Sequence, residues 1–205
     1  MEIINTINTN TLVKESLKKA ISYQEYRGQV TTHTENGTSS GPQQSEALST
    51  YTLLNNSRMK RLDKTLKIDQ TISEKFQEYQ KNVTWLVLAE SWCGDAAHAM
   101  PVMNKLVTQA KNIDFKVLYR DENKELMDLF LTNGSMSIPK LIVFDNETQE
   151  VINDWGPSPL IIMNKTKEFK AAHGTLTPEF KKEIQVWYNQ NKGKCIASDL
   201  LKLIE

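Results

Sequence analysis

The chain has 205 residues, 39% of them hydrophobic and 24% charged, with 25 basic and 25 acidic side chains and a formal net charge of zero. This is the make-up of one globular domain with an extension, and the balanced charge gives no electrostatic footing for nucleic acid or an acidic membrane surface. Two cysteines, Cys93 and Cys195, are too few for a disulfide scaffold.

Along the chain, residues 11–27 carry Leu12, Val13, Leu17, Ala20, Ile21 and Tyr23 near helical spacing, with Gly28 as the stop. Residues 29–45, rich in Thr, Ser and Gly, read as a flexible loop. A second helical region runs from Glu46 to about Lys81 and breaks near Asp69–Ser73, where Asp and Ser suit a cap. The texture changes at Val83: "VTWLVLAE" is a short β-branched and apolar run, the pattern of a buried strand. A helix follows from Cys93, with Met100, Met103, Leu106 and Val107 on its core face and Pro101 expected to kink it.

"IDFKVLYR" alternates as a strand, and 121–134 reads as a helix with Asp121 as N-cap and Gly134 as its stop. "PKLIVFD" and "EVINDW" are strands joined by the hairpin-length turn 146–149. Helices are expected after the Pro-rich corner at Trp155-Gly156-Pro157 and after Thr177-Pro178, with a last one over about 198–204. The division is an N-terminal helical extension over 1–80 and an α/β domain over 81–205, a βαβ unit followed by a hairpin.

Three features of the second part bear on chemistry. Trp92-Cys93-Gly94 stands where a strand turns into a helix, Pro101 lies eight residues beyond the cysteine, and Ile138-Pro139 opens a strand. In this order and spacing the chain resembles the thioredoxin family, and more narrowly a thioredoxin-like branch with a WCGDA-type motif. The resemblance covers about residues 80–156. It implies a thioredoxin-like α/β fold, a mixed central sheet with helices on both faces, and a cis-proline loop at Ile138-Pro139 beside the sulfur of Cys93. The site it implies is Cys93 as nucleophile, lined by Trp92, Gly94, Asp95, Ala96, Ile138 and Pro139. A cysteine at a helix N-terminus faces unpaired N–H groups and the positive end of the dipole, which favour thiolate.

The departures from the family pattern are as informative. Ala96 stands where a dithiol enzyme has its resolving thiol, and Val87 where the family has a buried acid, so the thiol and its proton acceptor are absent together. Asp95 places a carboxylate in the first helical turn, which opposes the dipole's effect on the thiol. Asp95 is a tuning group or simply a helix-start acid; His98, one turn on, joins the site or lies on the surface. Cys195 is a bystander or a resolving partner for Cys93. The three histidines show no metal-ligand spacing, and neither a metal nor another cofactor is expected.

The leading expectation is a monothiol thiol–disulfide oxidoreductase. Cys93 attacks a disulfide, a mixed disulfide forms, and an external thiol such as a small cellular thiol resolves it, so the expected partner is a protein disulfide or a small-thiol substrate. The alternative is a non-catalytic thioredoxin-fold module that binds a polypeptide beside Trp92, with the N-terminal helices as a partner or homodimer surface. A peroxide sensor at Cys93 is a third reading. "MEIINTINTN" has no leader pattern and no run approaches the roughly 20 apolar residues of a membrane span, so the expected location is cytoplasmic.

Overall fold

The computed structural model describes residues 2–205, with side chains from Thr9 onward. Met1 and the side chains of residues 2–8, on which the absence of a leader pattern partly rests, lie outside the described residues. The first helix, α1 (Glu2–Leu17), ends a turn before the short strand β1 (Ile21–Ser22). Helix α2 (Tyr23–Glu35) then starts anew, so the single helix expected over 11–27 is in fact two. A capping box explains the restart: Ser22 Oγ accepts from Glu25 N at 3.2 Å while Glu25 accepts from Ser22 N at 2.7 Å. Gly28 sits inside α2 rather than ending it, because Tyr23, Tyr26 and Val30 bury one face and outweigh a cost of about 1 kcal/mol for a helical glycine. The irregular segment is thereby confined to 36–45, where Ser39 and Ser40 are buried.

Helices α3 (Glu46–Thr65) and α4 (Gln70–Glu78) flank the expected break, with Ser45 and Asp69 accepting N-terminal N–H groups as caps. Strand β2 (Val83–Ala89) is buried at every position, which a strand achieves only when both faces are covered. It leads through Ser91 and Trp92 into α5 (Gly94–Val107), which continues through Pro101 and buries Met100, Met103 and Leu106. Strand β3 (Ile113–Tyr119) follows, paired in parallel with β2.

After β3 the expected helix over 121–134 shrinks to a 3-10 turn (Arg120–Glu122) and α6 (Lys124–Asp128). Asp121 is not an N-cap: its carboxylate pairs with Arg120 at 2.8 Å and its N–H is donated elsewhere. Gly134 ends no helix. It forms an Asn-Gly turn with Asn133, both at positive φ, closed by reciprocal Thr132–Ser135 backbone bonds of 3.0 and 3.1 Å. The hairpin β4 (Lys140–Asp145) and β5 (Glu150–Trp155) comes next, then α7 (Leu160–His173) and α8 (Pro178–Asn191). The last helix, α9 (Lys194–Leu201), begins earlier than expected, because Lys192 and Gly193 at positive φ end α8 abruptly.

The strand order is β1-β3-β2-β4-β5, with β2 and β3 parallel and the remaining pairings antiparallel. Ile21 of β1 pairs with Val117, and Tyr23 stacks on Phe115 with ring centroids 5.5 Å apart. The N-terminal segment therefore shares one sheet and one core with the rest. No helix among the described residues is long and apolar enough to cross a membrane.

Candidate functional site

Cys93 is the N-cap residue of α5, held by the strand-to-helix turn in which its N–H donates to Glu90 O at 3.1 Å. Its Sγ accepts from Ala96 N at 3.4 Å and donates to the Ile138 carbonyl at 3.2 Å. The Ile138-Pro139 peptide is cis. A sulfur that donates to a carbonyl carries its proton, and the surroundings agree. Burial is the larger influence and the nearby Asp95 carboxylate the next; together they push the Cys93 thiol up to about 12, against the pull of the helix-start amides. Two opposing effects were expected at this helix start, the dipole and the Asp95 carboxylate; desolvation, a third, decides the outcome.

Of the expected lining residues, Trp92, Gly94 and Asp95 all face the cleft with Cys93, while Ala96 is fully buried behind it. Ile138 and Pro139 are buried, with the Ile138 carbonyl against the sulfur, and neither is among the residues lining the cleft. Asp95 is half-buried, and Tyr188 of α8 donates to its Oδ1 at 2.6 Å. Burial raises the Asp95 carboxyl to about 6 in spite of that bond. His98 is not on the surface, as one reading had it. It is buried, stacks on Tyr188 with ring centroids 4.4 Å apart, and lies 3.0 Å from Gln185 Oε1. Burial pushes it down to about 4, which keeps it neutral at physiological pH.

Several residues of the site carry no local signal in the sequence. Val87 lies mid-strand in the core, but Glu90, three residues on, is a fully buried carboxylate. Ser40 Oγ donates to its Oε2, and Asp121 N donates to its Oε1 at 2.8 Å. Burial raises the Glu90 carboxyl. Ser40 also accepts from Ser91 N at 2.8 Å and donates its own N–H to Ser91 Oγ at 2.9 Å. Asn55 of α3 donates to Ser91 O at 3.0 Å, so the turn before the cysteine is clamped from the N-terminal segment. Arg120 lies over the Trp92 ring, 5.0 Å from its centroid, and donates to Met136 O at 3.2 Å, joining the tryptophan to the loop before Pro139.

Gly156, with φ of +124°, is needed where it stands: a Cβ there would overlap the Pro139 carbonyl oxygen. Cys195 bonds with Asn191 in the α8–α9 connection and is no part of the lining around Cys93. The two cysteines are both free. Among the described residues, no three His, Cys, Asp or Glu side chains converge as a metal site.

Cys93 and the Ile138-Pro139 loop both lie within the span that the family comparison matches. The thioredoxin family model covers residues 41–170. The chain belongs to the thioredoxin family. That span takes in α3 and the site turn but stops short of α8, which supplies Tyr188 and Gln185. A crystal structure of a protein of unknown function from Pseudomonas aeruginosa is similar at 16% identity with a TM-score of 0.57, over 74% of this chain and 84% of that one. An HIV epitope scaffold is similar at 16% identity with a TM-score of 0.56, over 90% of this chain and 98% of that one. At such identities the likeness is one of fold. No curated protein matches the chain.

Proposed function

We propose that this thioredoxin-family protein carries out monothiol exchange at Cys93. The observation that carries the reading is a lone thiol at the N-cap of α5, on the wall of a cleft and in hydrogen-bond contact with the carbonyl of Ile138. The Cys93 sulfur attacks one sulfur of a disulfide, the S–S bond breaks, and the departing sulfur takes up the proton that Cys93 gives up. Cys93–SH and R–S–S–R thus become Cys93–S–S–R and R–SH. With Ala96 in place of a resolving thiol, a second, external thiol attacks the mixed disulfide and returns Cys93 to its starting state. Burial keeps the thiol protonated at rest, which slows its exchange with disulfides at neutral pH.

The test is intact mass measurement of a Cys195→Ser protein after treatment with a small disulfide, followed by addition of an external thiol. The expected result is one adduct, mapped to Cys93, that the thiol removes. A protein that stays unmodified after hours at pH 8 defeats the exchange reading. A second reading, a non-catalytic binding module, draws on the same raised thiol and on Ala96. Under it a Cys93→Ser variant keeps full affinity for a ligand in the cleft and no mixed disulfide ever forms.

A further inference from the structure

The cleft at Cys93 has a volume of about 790 Å³, within the usual range for a small-molecule site. Its character is uneven. Ile162 of α7 and Phe180 and Ile184 of α8 are buried and form an apolar lining. Around them stand four cations: Lys167 and Lys170 from α7, Lys181 from α8 and Arg58 from α3. The only acid among the lining residues is Asp95, already engaged by Tyr188. The other acids of the two wall helices, Glu168, Glu179 and Glu183, are absent from the lining, and Glu183 lies toward Lys165 instead.

Arg58 is half-buried, and its guanidinium bonds a neutral group, Asn55 Oδ1, at 2.8 Å. No carboxylate among the described residues pairs with it. A Cβ on Gly94 would have Arg58 Nη1 at 4.0 Å and Gln185 Nε2 at 3.4 Å, so this cation and this amide stand beside the first residue of α5, next to the thiol. Thr132, also in the lining, has a buried hydroxyl with no partner among the described residues. A chain with zero net charge has thus placed an unmatched positive rim around an apolar floor at its reactive residue.

We infer that the cleft receives a small anionic molecule with an apolar body, its carboxylate, sulfonate or phosphate facing Arg58 and the lysines and its apolar part on Ile162, Phe180 and Ile184. Resting on the exchange reading, that molecule is the disulfide that Cys93 attacks. A concave site of this size, rather than a flat face, favours a small molecule over a folded protein. Electrostatic complementarity selects the sign of the ligand, and the apolar floor supplies affinity that does not depend on sign.

The experiment uses the Cys93→Ser protein, so that binding is read apart from chemistry. Two fluorescent probes of similar shape are titrated: 8-anilinonaphthalene-1-sulfonate, an anion, and N-phenyl-1-naphthylamine, which is neutral. The variant Lys167→Glu/Lys170→Glu/Lys181→Glu changes only exposed side chains, and a Gln version of the same triple change serves as the milder control. The expected result is an anion Kd raised about tenfold by the Glu variant and less by the Gln variant, with the neutral probe within twofold throughout. Equal responses of the two probes, no response of either, or no binding of the anion to the parent protein overturns the inference.

A second arm, with Cys93 intact, compares 5,5′-dithiobis(2-nitrobenzoate) with cystamine, each rate normalised to a free small thiol. The anionic disulfide is expected to be favoured, and the Glu variant to lose that preference about tenfold. If neither disulfide reacts while the anion probe still binds in the charge-dependent way, the cleft assignment stands and the exchange reading falls.

Discussion

At the residue scale, Cys93 shows how a helix start can fail to activate a thiol. The amide of Ala96 and the helix dipole both favour thiolate, but the sulfur is almost fully enclosed, and the strongest charge acting on it is the carboxylate of Asp95. Desolvation penalises any charged form, and Asp95 penalises a negative one further. Replacing Asp95 by Asn keeps an acceptor for Tyr188 and removes the charge. The midpoint of Cys93 alkylation, measured with iodoacetamide in a Cys195→Ser background, should fall by about one pH unit, with a rate at pH 8 raised roughly tenfold. An unchanged midpoint would show that burial alone holds the thiol. The same carboxyl gives a pH effect on stability with a definite sign. Its folded value, raised to about 6, lies above the ordinary 3.8, so the fold favours its protonated form and loses that advantage as pH rises through this window.

At the element scale, two glycines that look alike in the sequence behave in opposite ways. Gly28 lies on α2 with nothing within 4 Å of a would-be Cβ, whereas Gly156 turns the chain at φ +124° against the backbone of Pro139. Gly28→Ala should stabilise the protein by about 0.5–1 kcal/mol, because alanine costs less backbone entropy in a helix. Gly156→Ala should destabilise it by roughly 2–4 kcal/mol and disturb the wall of the site, because neither the φ nor the contact with a carbonyl tolerates a side chain. Urea denaturation of the two variants beside the parent checks both signs at once. The caps at Asp69 and Thr177 were legible for the same local reason that Gly28 and Asp121 misled: each satisfies an N–H group two or three residues ahead, an arrangement the sequence spells out. Glycine as a helix stop misplaced the boundary at Gly28, since the burial of Tyr26 and Val30 that carries α2 through it is a tertiary fact.

At the scale of the whole molecule, the N-terminal segment is tied to the site through one small side chain. Ser40 bonds the buried Glu90 carboxylate and both donates to and accepts from Ser91, two residues before the cysteine. Ser40→Ala leaves Glu90 and the Ser91 amide each short of a partner inside the protein, a loss of roughly 2–4 kcal/mol at pH 7. Because burial already raises the Glu90 carboxyl, acidification protonates it and relieves part of the penalty, so the loss should be smaller at pH 5 than at pH 7. Denaturant midpoints of parent and variant at the two pH values test this, and equal losses at both would mean that Glu90 takes no part.

By itself the sequence determined the strands from Val83 onward, the helix start at Cys93 and the missing second thiol, because each is encoded within a few neighbouring residues. Alternation marks strands, caps mark helix starts, and a motif keeps its spacing in any setting. Only the tertiary structure decided the protonation state of Cys93, the burial of His98, the place of Glu90 and the basic rim of the cleft. Those depend on what residues far apart in the chain bring together, such as Ser40 against Glu90, Tyr188 against Asp95, and Lys167, Lys181 and Arg58 around one thiol. Desolvation and Coulomb energy are set by distance in space and by exclusion of water, and neither is written in the order of the residues.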